Sequence, residues 1–415
     1  MRIRPAITFI GLVLVTGCAA EEPQRQPLPE PRPDRALVSW SETVCTQAKA
    51  LDDLREGTDS PGYAGWVRSE VSTVLTRLDA LEDSGIRQAD DYVGALVRDL
   101  ERLRDELSAE TSGELAPSRI VELLDGIGRQ EPELVALAER TKDLAPSMHL
   151  APGCPPLDQP PTMDTLASRD LVNWANTMCR ARAVLAGVPS PDDDVLKHPR
   201  FAAFEDSVLA SYLGSVSGEL GGVGEPVAGL PDIGVPAADT YRSTLLSALR
   251  EAERTLPRAE SPLDYYDLPL DRLRARAREV AETVSAIEPR DPDLGEVVRE
   301  DPALSAAHDL APNCEPPGAP STSPTPLPAA EDGTDVAACE DGECRIEVST
   351  PVDIPVRDAV FTATVSKGTV WLADDSGLIR LTGAGTGRFG RDDLTVTFSV
   401  IASSSTAAVL DVTTE

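Results

Sequence analysis

Basic side chains are scarce in this 415-residue chain. Lys and Arg number 38 against 70 Asp and Glu, for a net charge of -32 and a pI near 4.4. A polyanion of this size repels nucleic-acid phosphates and anionic lipid surfaces, so DNA or RNA partners are excluded. The acidic excess runs along the whole chain and is the charge of a soluble surface, not of an acidic tail. Histidine occurs only three times, at His149, His198 and His308, with no metal-ligand spacing among them. No G-x-S-x-G elbow supplies a nucleophile. His149 and His308 precede matching Leu-Ala-Pro-x-Cys signals one residue out of register, as helix-end residues would. Asp192, Asp193 and Asp194 lack the glycine and distal glutamate of a calcium loop and read as a solvated turn. Nucleophile, base and orienting group are not assembled anywhere, so the chain is expected to be no enzyme and to carry no catalytic, cofactor-binding or metal residues.

Two motifs that do occur carry weaker chemistry than their letters suggest. Gly385-Thr386-Gly387-Arg388-Phe389-Gly390 spells the dinucleotide fingerprint, which needs a following helix N-terminus against the pyrophosphate. Here a strand pattern follows, so a glycine-rich hairpin is expected. Cys339 and Cys344 are spaced too widely for a redox pair, and the three carboxylates between them raise thiol pKa and blunt reactivity. No second Cys or His pair completes a zinc site. A local disulfide across the Asp341-Gly342 turn is expected.

At the N-terminus, Arg2 and Arg4 precede a short apolar run from Ile7 to Val15, well below the roughly 20 residues of a membrane span. Val15-Thr16-Gly17-Cys18 follows and resembles the lipobox of bacterial lipoproteins. The resemblance implies a signal peptide over 1–17 and a diacylglycerol thioether on Cys18, the chain's link to the membrane. Residues 18–34, with five prolines among charges, form a lipidated stalk. The remaining six cysteines are an even number in an exported chain, where disulfides persist.

The body of the chain contains a duplication. RALVSWSETVC over 35–45 answers RDLVNWANTMC over 169–179 at a shift of 134, and the two Leu-Ala-Pro-x-Cys signals match at 160. Tyr92, Leu96 and Leu100 match Tyr241, Leu245 and Leu249 at 149. Copy two therefore carries two insertions, the first expected in the Gly-rich stretch from Gly214 to Gly234. Apolar residues recur at helical steps in both copies, predicting two bundles of about four helices over 35–155 and 169–316, with a linker at 156–168. The simplest disulfide pairing closes each copy, Cys45 with Cys154 and Cys179 with Cys314; pairing Cys45 with Cys179 and Cys154 with Cys314 would instead fuse the copies. Trp40 and Trp174 share a helical stripe with core residues and read as core, not as a stacking platform.

After a Pro/Ser/Thr-rich spacer over 317–335, the hydrophobic period changes to two. Short alternating runs around Ile346, Phe361 and Val396 predict a small all-β sandwich or barrel over 336–415. From Cys344 onward this part loosely resembles β modules at the ends of secreted actinobacterial proteins, which have no settled activity. Arg outnumbers Lys 34 to 4, a bias of GC-rich genomes. The expected architecture is multidomain, with tandem all-α helical-bundle repeats followed by a small all-β domain. The expected role is a non-catalytic surface lipoprotein on the extracellular face of the cell membrane, binding an envelope protein or glycan. The alternative is capture of a solute in a cleft between the two bundles.

Overall fold

Among the described residues, the apolar stripes of the first half become six helices in copy one: α1 (Arg35–Glu56), α2 (Tyr63–Asp79), α3 (Arg87–Ala109), α4 (Pro117–Asp125), α5 (Leu134–Arg140) and α6 (Leu144–Leu150). The computed structural model describes residues 32–56, 63–109, 117–127, 133–188, 194–256, 262–289, 291–314, 327–383, 385–391 and 394–414. The expected signal peptide, Cys18 and the expected stalk up to residue 31 lie outside the described residues, as do Asp192, Asp193 and the part of the spacer up to residue 326. Copy two comprises α7 (Arg169–Gly187), α8 (Pro199–Ala202), α9 (Glu205–Gly229), α10 (Pro236–Thr255), α11 (Leu270–Ser285), α12 (Leu294–Glu300) and α13 (Pro302–Leu310). The number exceeds the expected four per copy because each copy closes with a pair of helices two or so turns long, too short to display a periodicity. In copy two caps delimit them instead: Asp293 and Glu296 form a capping box at α12, and Asp301 accepts from the Ala303 and Leu304 amides at α13.

Burial steps and turns of the two copies correspond at fixed shifts. In α2, Tyr63, Val67, Val71, Val74 and Leu78 are buried; in α9, Tyr212, Val216, Leu220, Val223 and Val227 repeat the same steps at a shift of 149. The turns that follow are the same turn. Gly85 and Gly234 sit at φ +73° and +74°, a region that favours glycine. The Ser84 and Ile233 amides donate to Asp90 and Asp239 at 2.8 and 3.0 Å. At a shift of 160, α4 and α11 end on matching bonds, Ile127 to Leu124 and Ile287 to Val284.

This register corrects the position of the first insertion. The Gly-rich stretch is no insertion; it is α9 itself, the counterpart of α2. Its six glycines each cost about 1 kcal/mol in a helix relative to Ala, and burial of the Val216–Val227 stripe overrides them. The added residues lie upstream, in a 3₁₀ turn (Asp194–Lys197), in α8 and in the start of α9. The second insertion lengthens α11 at its N-terminus, where Arg274 makes a two-pronged bond to Glu205 of α9 at 2.7 and 2.5 Å. The two insertions are thereby tied to each other.

The copies share one continuous core through a pseudo-two-fold seam. Arg35 of copy one donates to the Pro312 carbonyl of copy two at 3.3 Å, and Arg169 of copy two donates to the Pro152 carbonyl of copy one at 3.0 Å. Each arginine thus reaches the closing loop of the other copy. Within residues 156–168, Leu157 and Ala167 are buried in the same core.

The C-terminal part is a sandwich of two four-stranded antiparallel sheets. The strands are β1 (Glu343–Val348), β2 (Val352–Val356), β3 (Ala359–Ser366), β4 (Thr369–Ala373), β5 (Leu378–Thr382), β6 (Gly385–Arg391), β7 (Leu394–Ser403) and β8 (Ala408–Thr414). The sheet orders are β1-β8-β7-β6 and β2-β3-β4-β5. Phe361, Phe389 and Phe398 meet between the sheets with ring centroids 5.0–6.0 Å apart. Part of the outer face of the second sheet is covered by copy two. Trp371, on that face, is 1% exposed and packs with Val195, Phe201 and Val208 of copy two. Its ring meets Phe201 edge-on at 6.4 Å, and Arg200 pairs with Asp375 beside it. The first insertion is the seat of the sandwich.

Candidate functional site

Each copy is stitched where its first helix meets its closing loop. Cys45 on α1 is bonded to Cys154, and Cys179 on α7 to Cys314. The second sulfur of each pair lies against an α-helical carbonyl, Ser41 or Ala175, at 3.2 and 3.3 Å. One residue before that sulfur, the contact is conserved in place but not in chemistry. The Gly153 amide donates to the Glu42 carboxylate at 2.5 Å, whereas the Asn313 amide and side chain donate to Asn176 Oδ1 at 2.9 Å. A Cβ at Gly153 would stand 2.7 Å from Thr46 Oγ1 and 3.0 Å from Glu42. Carboxylate with glycine and amide with amide are two solutions to one close approach. Burial pushes the Glu42 carboxyl up, opposed by the Gly153 bond and by Arg169 and Arg180.

Cys339 is bonded to Cys344 across the Gly342 turn, joining a 3₁₀ turn (Val336–Asp341) to β1. Trp40 and Trp174 are buried in the helical core, Trp174 edge-on to Tyr241 at 6.4 Å. The histidines are scattered. His149 and His308 fall in the last turns of α6 and α13, where burial pushes both below the usual imidazole range. His198 caps α8 with its ring 5.5 Å from Phe201. A ring nitrogen of His308 lies within 4.8 Å of both sulfurs of Cys179 and Cys314, but sulfur ligates metals as thiolate, and these two are spent on each other. Gly385–Gly390 forms β6, paired with β7, so no helix follows to receive a pyrophosphate. Gly387 is needed for packing, since a Cβ there would stand 2.8 Å from Ile379.

The chain matches no family model, no curated protein and no solved structure. Among the described residues, no helix is long and apolar enough to cross a membrane. Each copy presents a cavity against the C-terminal end of its first helix.

In copy one the cavity measures about 400 Å³ and is lined by Leu51, Asp52, Arg55, Tyr92 and Asp125 among others. Arg55 crosses it, donating to the Leu124 and Ile127 carbonyls at 2.8 and 3.3 Å and pairing with Asp52 and Asp125. In copy two the cavity measures about 300 Å³, between α7, α9 and α11, with Leu185, Ala186, Val188, Tyr212 and Val284 in its wall and Glu288 at its edge. Asp52 and Asp125 of copy one correspond to Ala186 and Ser285, so the shared wall loses its charges. Glu288 is held by Arg182 at 2.9 Å.

Tyr63 at the start of α2 and its counterpart Tyr212 within α9 separate the two sites. Tyr63 donates to the Leu54 carbonyl at 2.7 Å. Tyr212, its counterpart, is 2% exposed and its hydroxyl has no hydrogen-bond partner. The cause is local. Leu54 lies inside α1, which runs on to Glu56, whereas its counterpart Val188 precedes a proline in the sequence. A residue before proline is driven out of the α region. Accordingly α7 stops at Gly187, and Val188 turns extended at ψ 122°. The carbonyl that satisfies Tyr63 is re-aimed in copy two, and burial pushes the Tyr212 hydroxyl up to about 12, with Glu219 adding to the effect. Sequence reasoning missed this residue. The signal was the 149-residue shift, which pairs Tyr63 with Tyr212, together with proline at 189 where copy one has Arg55.

Proposed function

We propose that the protein is a non-catalytic binding module of the bacterial envelope, held at the outer face of the cell membrane by a lipid on Cys18 and directed at an envelope protein or glycan. The observation that carries this reading is the use to which the chemically capable groups are put. Six cysteines are oxidised into structural bonds, and Arg35 and Arg169 are spent on the seam between copies. The sandwich is seated on copy two through Trp371 and Phe201. The product is a braced body that offers surface to a partner. In-cell crosslinking of the lipidated protein, followed by mass spectrometry, tests the role. A reproducible envelope protein or glycan supports it; an empty capture under efficient crosslinking overturns it. Replacing Cys18 with Ser tests the anchor separately, with release of the protein into the medium as the expected outcome and retention in the membrane fraction as the contrary one.

A second reading, capture of a small solute, is favoured by the cavity of about 300 Å³ in copy two. This reading places the solute in a cleft between the two bundles or in the cavity within copy two.

A further inference from the structure

We infer that copy two, in its thiol form, holds a zinc-type divalent metal ion between Cys179, Cys314 and His308, so that metal and disulfide are alternative closures of one loop. The inference concerns the chain before that bond forms or after it is reduced, and it stands apart from the partner and solute readings.

The three donors come from the two ends of the copy. Cys179 lies on α7, His308 in the last turn of α13 and Cys314 in the closing loop. Their ligating atoms all lie within 4.8 Å of one another, and no second such group of histidine, cysteine or carboxylate occurs among the described residues. Zinc stands about 2.3 Å from sulfur and about 2.0 Å from nitrogen, so a tetrahedral site sets its ligands roughly 3.5–3.8 Å apart. The imidazole is already close to that spacing, and breaking the S–S bond lets the sulfurs part to reach it. Cys179 and Cys314 are 9% and 2% exposed. Two thiolates and a neutral imidazole cancel the charge of a divalent ion, so the filled site brings no net charge into the core. Thiolate with imidazole selects zinc over magnesium or calcium, and three protein ligands leave the fourth position to water.

Copy one supplies the control. At the shift of 160, His308 answers Met148, which is 1% exposed, and His149 answers Asp309. The histidine differs by one position between the copies, and only in copy two does it come within reach of the paired sulfurs. Methionine is not among the usual ligands of zinc, so Cys45 and Cys154 have no third donor. Cys339 and Cys344 have none either, since the sandwich contains no histidine.

The chemistry closes without a hidden reactant. A phosphine with water reduces the bond to two thiols and becomes the phosphine oxide; zinc then displaces the two thiol protons. In the other direction a disulfide oxidant takes two electrons from the thiolates, the S–S bond forms and the ion leaves.

The test reduces the full mature chain with tris(2-carboxyethyl)phosphine, removes the reductant under argon and adds zinc chloride. Alkylation by iodoacetamide is followed at each cysteine by peptide mass spectrometry. Zinc is expected to slow alkylation of Cys179 and Cys314 and to leave Cys45, Cys154, Cys339 and Cys344 at their metal-free rates. His308→Met, which copies copy one, is expected to weaken that protection about tenfold or more, because losing a group that merely orients a metal ligand already costs about 10–100-fold. Circular dichroism separates a lost site from a lost fold. Where reduction alone melts helices, zinc is expected to restore them in wild type and not in His308→Met. Equal protection of all three pairs, no protection at Cys179 and Cys314, undiminished protection in His308→Met, or a melted chain that zinc fails to refold overturns the inference.

Discussion

At the residue scale, the duplication supplies internal controls that few single chains offer. Position 153 is glycine because Glu42 and Thr46 fill the space a Cβ would need, while position 313 is asparagine because its contact, Asn176, is a neutral amide. Gly153→Asn alone is therefore expected to destabilise the protein by about 1–3 kcal/mol through overpacking, and Glu42→Asn added to it to recover part of the loss by copying the second solution. Urea unfolding of the two single variants and the double variant measures the coupling. The half-buried His149 and His308 give a pH dependence whose sign follows from desolvation. Their folded pKa lies below the ordinary value of about 6.5, so below that pH the unfolded chain takes up protons first and stability falls as pH falls. A His149→Gln, His308→Gln variant is expected to lose stability less steeply than wild type between neutral pH and about pH 5, seen in unfolding free energies across that window.

At the scale of elements, each large disulfide closes a long loop, 109 residues for Cys45–Cys154 and 135 for Cys179–Cys314. Chain entropy assigns each about 5 kcal/mol, so replacing both cysteines of either pair with Ala is expected to cost about that much in chemical unfolding. Long amphipathic helices such as α2 and α3, and the switch to a two-residue period at β1, were legible in the sequence because their buried faces repeat over several turns or along a whole strand. The short pairs α5–α6 and α12–α13 were not, since two turns hold too few apolar positions to define a stripe. α9 was misplaced because glycine content argues against helix locally, while the burial that overrides it is a property of the assembled core. The copy-two cavity was illegible for a third reason: it depends on where a carbonyl does not point, and composition carries no record of that. The seat of the sandwich belongs here too. Phe201 is fully buried against Trp371, so Phe201→Ala is expected to cost about 3–5 kcal/mol and to shift Trp371 emission to longer wavelength as its face gains water.

At the scale of the whole molecule, the reciprocal arginines make the two copies resemble subunits of a symmetric dimer fused into one chain. A two-fold interface is self-complementary, so what one copy offers the other must be able to receive. Arg35 and Arg169 occupy the same place on α1 and α7, and both reach the proline carbonyl in the opposite closing loop. Copy one alone retains both halves of that handshake: the Arg35 donor and the Pro152 acceptor. It also retains the face of α6 that packs against α7 in the intact chain, a seam within one continuous apolar core. Exposed to water, that face would cost about 25 cal/mol for each Å² of apolar surface, a penalty that pairing with a second copy removes. A fragment spanning 32–158 is therefore expected to form a homodimer by light scattering, and Arg35→Ala in that fragment to shift it toward monomer. A fragment that stays monomeric while remaining folded would instead place the pairing energy in residues 156–168 and in the elements unique to copy two, which only the intact chain holds against copy one.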